Sequence, residues 1–215
     1  MAGRLQAEIV EGRHAPGAEL PSEGELSRAF GVSRTVLREA MRTLASKGLV
    51  TVAQGRAARV RPADPEVVVD SLGTFLRRNG HSPLALFEVR RPLEAEAAAL
   101  AARRATPEHL AALEAALERH ERAKAAGDLI AADVAFHERL AEATENPVFL
   151  LLQRSLARRM ETCLDDTLRR VTPDYGNGHR PIVAAVRARD PDAARRCMLA
   201  HLRTAEAKVK QAGMA

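Results

Sequence analysis

A chain of 215 residues with 46% apolar residues can bury one or two proper cores, which excludes a disordered tail or a disulfide-stapled miniprotein. Aromatic residues make up only 3% and Trp is absent, which excludes a base-stacking platform for single-stranded nucleic acid. The net charge of +5 is unevenly placed: residues 1–61 hold 10 Lys or Arg against 6 Asp or Glu, leaving 23 against 22 for residues 62–215, so the basic excess sits at one end.

In chain order, Leu5 and Ile9 mark a short first helix ended by Gly12, and Pro16-Gly17 turns the chain into Leu20. Ser22 and Glu25 form a capping box for a second helix, with Leu26 and Phe30 on its buried face and Gly31 as a left-handed stop. Ser33 caps a third. There Leu37, Met41 and Leu44 follow the i, i+4, i+7 rule inward, which turns Thr35, Arg38 and Arg42 outward as a separate stripe beginning beside Arg34. Such a helix enters a major groove N-terminus first, where an arginine fork can bind guanine or clamp phosphate. Gly48 ends it, and Val50–Val52 with Arg59–Arg61 read as two short strands around a turn at Gln54, Gly55 and Arg56. This hairpin is a wing, in which Gly55 lets backbone approach DNA and Arg56 can reach the minor groove or a phosphate. Residues 1–65 are therefore read as a winged helix-turn-helix, with Arg34, Thr35, Arg38, Arg42, Gln54, Gly55 and Arg56 as its contacts to duplex DNA.

Asp64-Pro65 starts a new helix, and everything downstream carries helical spacing. Val68, Leu72 and Phe75 mark the buried stripe of a helix that Asn79-Gly80 closes; Ser82-Pro83 opens a long one with Leu86, Val89, Leu93, Ala97 and Leu100 inward. Thr106-Pro107-Glu108 restarts the pattern with Leu110, Leu113 and Leu117, and Gly127-Asp128 punctuates before LIAADVAFHERLAEA. Asn146-Pro147 leads a helix with Phe149, Leu152, Leu156, Met160 and Cys163 on one side; a loop over 172–178 follows, and Asp190-Pro191 separates two last helices. Residues 66–215 are read as an antiparallel all-α bundle of six or seven helices, so the fold class is mainly α. Cys163 and Cys197 form no CxxC spacing and read as reduced core residues. No apolar run approaches the ~20 residues a bilayer demands. The start MAGRLQAEIVEGR lacks a secretory signal's apolar centre, so a cytoplasmic location without a membrane partner is expected.

Asp133 and His137 lie four apart and share one helix face. His179 precedes Ile182 and Val186 at helical spacing, and His201 follows Met198, so both sit on core-facing stripes. The Asp190-Pro191 break is 11 residues from each, so a hairpin would set the two at one height. Three imidazoles and a carboxylate suit a divalent ion such as Zn²⁺, Ni²⁺ or Mn²⁺, with a position left for an oxygen ligand. His14, His81, His109 and His120 fall in connectors or on polar faces, where a solvated reading suffices.

These residues resemble the GntR family of bacterial transcription regulators, in its FadR-like branch with the FCD type of C-terminal domain. The likeness rests on PGAELPSEGELSRAFGVSRTVLREAMRTLASKGLV, on FEVRRPLEAEAAALAA, on Asp133 with His137, on HRPIVAAVRARDP from His179, and on MLAHL with His201. It implies a homodimer on a palindromic operator, controlled by a small organic acid bound near a metal in the bundle. By the same resemblance Arg34, Thr35, Arg38 and Gly55 match DNA contacts, and Asp133, His137, His179 and His201 match metal ligands. Arg90 matches an arginine of the effector pocket, although an ion pair with Glu94 at i+4 is the plainer role for it. Two positions depart from the pattern. Gly24 replaces an arginine common in relatives, and Pro181 sets the start of a helix close to His179. The chain is accordingly read as a repressor and not an enzyme. A metal-responsive regulator and a metal-dependent enzyme are the alternatives, the latter lacking any further general base or nucleophile near the ligands.

Overall fold

The computed structural model describes residues 1–53, 56–78, 82–168 and 178–213, without the side chains of residues 77, 158, 159 and 162–168. Its contacts divide the chain into two compact units, Met1–Val67 and Val68–Ala215.

The first unit holds α1 (Ala2–Val10), α2 (Glu23–Phe30), α3 (Arg34–Ser46) and a two-stranded antiparallel sheet of β1 (Val50–Thr51) and β2 (Arg59–Val60). The Ser22 side chain accepts from the Glu25 backbone N–H while the Glu25 carboxylate accepts from the Ser22 N–H, a complete capping box at α2. Gly31 ends α2 at φ 65°, a left-handed conformation open to glycine without a Cβ penalty. Ser33 caps α3 through Val36 N–H. The sheet is shorter than expected, pairing Val50 with Val60 and Thr51 with Arg59, and Glu19 forms an isolated antiparallel bridge to Arg59 of β2. Leu5, Leu37 and Leu44 are wholly buried, with Leu20, Leu26, Met41, Val50 and Val60 around them. Burial of each such leucine contributes roughly 1.5–3 kcal/mol, which holds the three helices and the wing together.

The second unit is an antiparallel bundle whose described residues form seven helices: α4 (Pro65–Arg78, entered from the first unit), α5 (Pro83–Arg104), α6 (Pro107–Arg122), α7 (Ala126–Glu142), α8 (Pro147–Leu168), α9 (Arg180–Arg187) and α10 (Pro191–Gln211). The caps fall where the sequence puts them. Ser82, Thr106 and Asp190 each accept from the first backbone N–H groups of the following helix, with proline in its first turn. The central helix is α5, packed against α7, α8, α9 and α10. Six alanines between Ala95 and Ala102 are buried around it, so neighbours approach on almost every side.

Three expected stripes shift. On α4 Val69 is buried while Val68 and Phe75 are exposed, because consecutive valines 67–69 offer two faces and Leu76 packs inward. Val89 is exposed on α5 because the inward face there is carried by Leu86, Phe87 and Arg90. Leu152 on α8 is exposed while Leu156 and Met160 are buried. Cys197 is a partly buried free thiol packed against the core; the side chain of Cys163, residues 79–81 and residues 171–177 lie outside the described residues. Among the described residues no helix is long and apolar enough to cross a membrane.

Candidate functional site

In the first unit Arg34, Thr35, Arg38, Arg42 and Arg56 are all exposed. Burial of Leu37, Ala40, Met41 and Leu44 forces this for Arg34, Thr35, Arg38 and Arg42 by fixing the rotation of α3. Arg38 Nε donates to Glu23 Oε2 at 3.0 Å, and Arg42 Nη1 donates to Glu39 Oε1 at 2.6 Å. Arg38, Arg42 and Arg56 line one groove of about 860 Å³ between α2, α3 and the wing. Gln54 and Gly55 lie outside the described residues. At Gly24 a Cβ would meet only Ser22 Oγ, at 4.0 Å, and Arg28 Nε donates to the Gly24 carbonyl at 3.3 Å.

In the bundle, α7 carries Asp133 and His137, His179 is the residue before α9, and α10 carries His201. One donor atom from each of the four lies within 4.8 Å of the other three. His137 Nε2 is 3.3 Å from His201 Nε2 and 3.9 Å from Asp133 Oδ1, and His179 Nε2 is 3.3 Å from the same oxygen. Pro181 sits in the first turn of α9, so His179 occupies the helix start, yet only 3% of it is exposed. Two forked ion pairs hold α9 along α6: Arg180 donates twice to Glu121 Oε1 and once to Oε2, and Arg187 donates twice to Glu114. A cavity of about 220 Å³ opens against His179 and His201, bordered by Pro181, Cys197, Thr204 and Lys208.

A divalent ion fits this donor set. Two donors that each bind one zinc-sized ion at roughly 2.1 Å stand no more than about 4.2 Å apart, and the four atoms here already lie within 4.8 Å of one another. His179 Nε2 is buried and makes no well-aligned hydrogen bond, the state of a donor atom that needs a partner. Electrostatics point the same way. Burial holds the pKa of His179 and, further, of His201 below the ordinary imidazole value, and that keeps them as neutral ligands; the Asp133 contacts of His179 only partly offset this. Burial would raise the Asp133 carboxyl, but its contact with His179 and the neighbouring imidazoles outweigh that and keep it well below the usual range, an anion.

Two residues of this region have other surroundings than the sequence suggests. His120 is not solvated: it is 6% exposed, edge-on to the His179 ring with centroids 4.5 Å apart, and its Nε2 has no hydrogen-bond partner. It continues the buried stripe of Leu113 and Leu117 at i+7 and i+3, the signal that could have found it. His109, expected to be solvated, instead completes the Thr106 capping box through Nδ1. Arg90 is buried on α5 with its Nε bonded to Glu94 Oε1 and its guanidinium 5.3 Å from the Phe87 ring centre. Glu94 was no part of the expected site. It is 2% exposed, and its second oxygen lies 2.5 Å from His137 Nδ1, although neither atom makes a well-aligned hydrogen bond. Burial pushes the Glu94 carboxyl up, but Arg90 and His137 outweigh it and lower its pKa to about 2.

Comparison with known proteins agrees with both units. Residues 1–60 match the bacterial regulatory proteins of the gntR family, and residues 85–204 match the FCD domain. The chain is 35% identical over 213 residues to the HTH-type transcriptional repressor NanR of Salmonella newport, covering 94% of this chain and 81% of the relative. Its structure is similar to Streptococcus agalactiae GntR, with a TM-score of 0.63 and 30% identity over 96% of this chain and 97% of that one. A GntR family member from Pseudomonas syringae pv. tomato shares the fold at TM-score 0.54 and 24% identity, over 98% of this chain and 83% of that one.

Proposed function

The chain belongs to the GntR family of bacterial regulatory proteins, a transcription regulator with an FCD domain and not an enzyme, and we propose that a small organic acid bound beside a divalent metal controls its grip on DNA. In this reading residues 1–65 bind one half of a palindromic operator and residues 66–215 form the sensing and dimerising domain of a cytoplasmic homodimer. Arg34, Thr35, Arg38 and Arg42 enter the major groove, and Gln54, Gly55 and Arg56 supply the wing contacts. DNA phosphates and bases would take the arginine donors that Glu23 and Glu39 now hold, an exchange that costs little at an exposed surface.

The observation that carries the proposal is the convergence of Asp133, His137, His179 and His201 from three parts of the bundle into one buried cluster. These four would hold the ion. Bound there, it supplies Lewis acidity and an open position for an anionic oxygen. The chain's own residues do the rest: neutral imidazoles and one carboxylate leave positive charge for an acid to neutralise, and the cavity bordered by Thr204 and Lys208 gives polar access to His179 and His201. Arg90 is assigned to the effector carboxylate, in keeping with the pairing of guanidinium and carboxylate. Its existing bond to Glu94 favours a second reading, in which the ion itself is the signal.

One experiment separates the two. Affinity for duplex DNA from upstream of the chain's own gene is measured for metal-free protein, Zn²⁺-loaded protein, and Zn²⁺-loaded protein with a panel of organic acids. A change only on adding an acid supports the proposal. A change on adding Zn²⁺ alone supports the metal-sensing reading, and no response to either overturns both.

A further inference from the structure

Glu94 belongs neither to the DNA surface nor to the four donors, yet it is among the most buried charges of the bundle and touches two members of the region at once. Its Oε1 accepts from Arg90 Nε one turn back on α5, and its Oε2 faces His137 Nδ1 at 2.5 Å across the gap to α7. We propose that Glu94 is a positioning residue of the metal centre: it holds the proton of His137 on Nδ1 and so presents Nε2, unprotonated, to the ion. This inference rests on the metal reading above.

The geometry of the ring supports it. A neutral imidazole has one nitrogen that donates and one that accepts, and the partner of the first decides which is which. His137 Nδ1 looks at a carboxylate. Nε2, on the other side of the ring, is the atom near His201 Nε2 and Asp133 Oδ1. A proton on Nε2 would block the cluster and set the Nδ1 lone pair against an anion in a buried place, and both effects disfavour that tautomer. Arg90 supplies the counter-charge that lets Glu94 stay there as a carboxylate, so the arginine acts on His137 through Glu94. Carboxylates behind ligating histidines act in this way generally, and losing one typically weakens metal binding by about 10- to 100-fold.

The tautomer is read first, in metal-free wild-type protein labelled with ¹⁵N-histidine, from long-range ¹H–¹⁵N spectra in which His137→Gln identifies the His137 signals. An Nδ1–H tautomer is expected, and an Nε2–H tautomer overturns the proposal. Zn²⁺ affinity is then measured by competition with a chromophoric chelator for wild type, His137→Ala, Glu94→Gln and Arg90→Met/Glu94→Gln, with the melting temperature of each metal-free form alongside. Glu94→Gln and the double variant should each bind one Zn²⁺ about 10- to 100-fold more weakly than wild type, whatever happens to their metal-free melting. If Glu94→Gln binds as wild type does while His137→Ala does not bind, the positioning role is overturned and the metal centre stands. If wild type takes up no Zn²⁺, the metal reading fails and this inference falls with it. Should Glu94→Gln fail to fold, the double variant and the wild-type tautomer decide.

Discussion

Arg38 and Arg90 are both arginines paired with a glutamate, yet the Arg38 side chain is 63% exposed beside Glu23 and the Arg90 side chain 5% exposed beside Glu94. An exposed pair contributes about 0–1 kcal/mol and is screened by salt, so water, counter-ions or a DNA phosphate can replace either partner. A buried pair resists such exchange: removing one partner with nothing in its place leaves a charge that water does not reach. The same pairing therefore serves opposite ends. On α3 it parks cations that are meant to leave, whereas in the bundle it fixes a charge so that its neighbours stay in place.

Substitutions can break this contrast from its deep end first. His137→Ala should abolish stoichiometric uptake of Zn²⁺, and at about a thousandfold excess over the dissociation constant the lost stabilisation is about 4 kcal/mol; elemental analysis and denaturation with and without Zn²⁺ check both. Arg90→Met should cost about 3–5 kcal/mol in the metal-free protein by removing the counter-charge of the buried Glu94 carboxylate, measured by urea unfolding. On α3 the pattern reverses. Arg38→Ala should weaken specific operator binding by about 1–3 kcal/mol while unfolding stability stays within about 0.5 kcal/mol, a split read by fluorescence anisotropy beside urea melts. Arg56→Ala should weaken binding to all duplexes alike and lower the slope of log K against log salt by about one.

Acid sharpens the contrast without a mutation. Burial lowers the folded-state pKa of His179 and His201, so the unfolded chain takes up their protons first as pH falls. Their contribution is present above the unfolded value of about 6.5 and is lost below it. Glu94, lowered to about 2, adds a second loss as pH drops from the ordinary carboxylate range toward that value. Metal-free protein should thus lose stability in two steps on acidification. Urea midpoints across a pH series check this, and a midpoint that rises between pH 7 and pH 5 would contradict it.

What could be read from the sequence followed the range of each signal. Caps at Ser22, Ser33, Ser82, Thr106 and Asp190 act on backbone two or three residues away, so helix starts were legible to within a residue or so. The convergence of His179 and His201 was legible because a single turn at Asp190 joins their helices. Val68 and Phe75 were misplaced because three successive valines satisfy two rotations of α4, and only packing chooses between them. Glu94 lies on the buried stripe of Phe87, Arg90, Ala98 and Ala101. Its meaning was hidden because His137, 43 positions on, sits on another helix. His120 was lost to its setting among Arg119, Glu121 and Arg122, which made an inward residue look like part of a charged surface.

The two forks between α6 and α9 fall at the same antiparallel offset, Arg180 with Glu121 and Arg187 with Glu114, two turns apart on each helix. Slide α9 by one turn in one direction and both guanidiniums come opposite leucines, Leu117 and Leu110; slide it the other way and Arg187 meets Glu118 while Arg180 passes the end of α6. The pair works like a key cut with two teeth. Each fork is exposed and contributes only about 0–1 kcal/mol, so the pair marks the register of α9 without locking it, and a slide that begins at His179 must break both teeth at once.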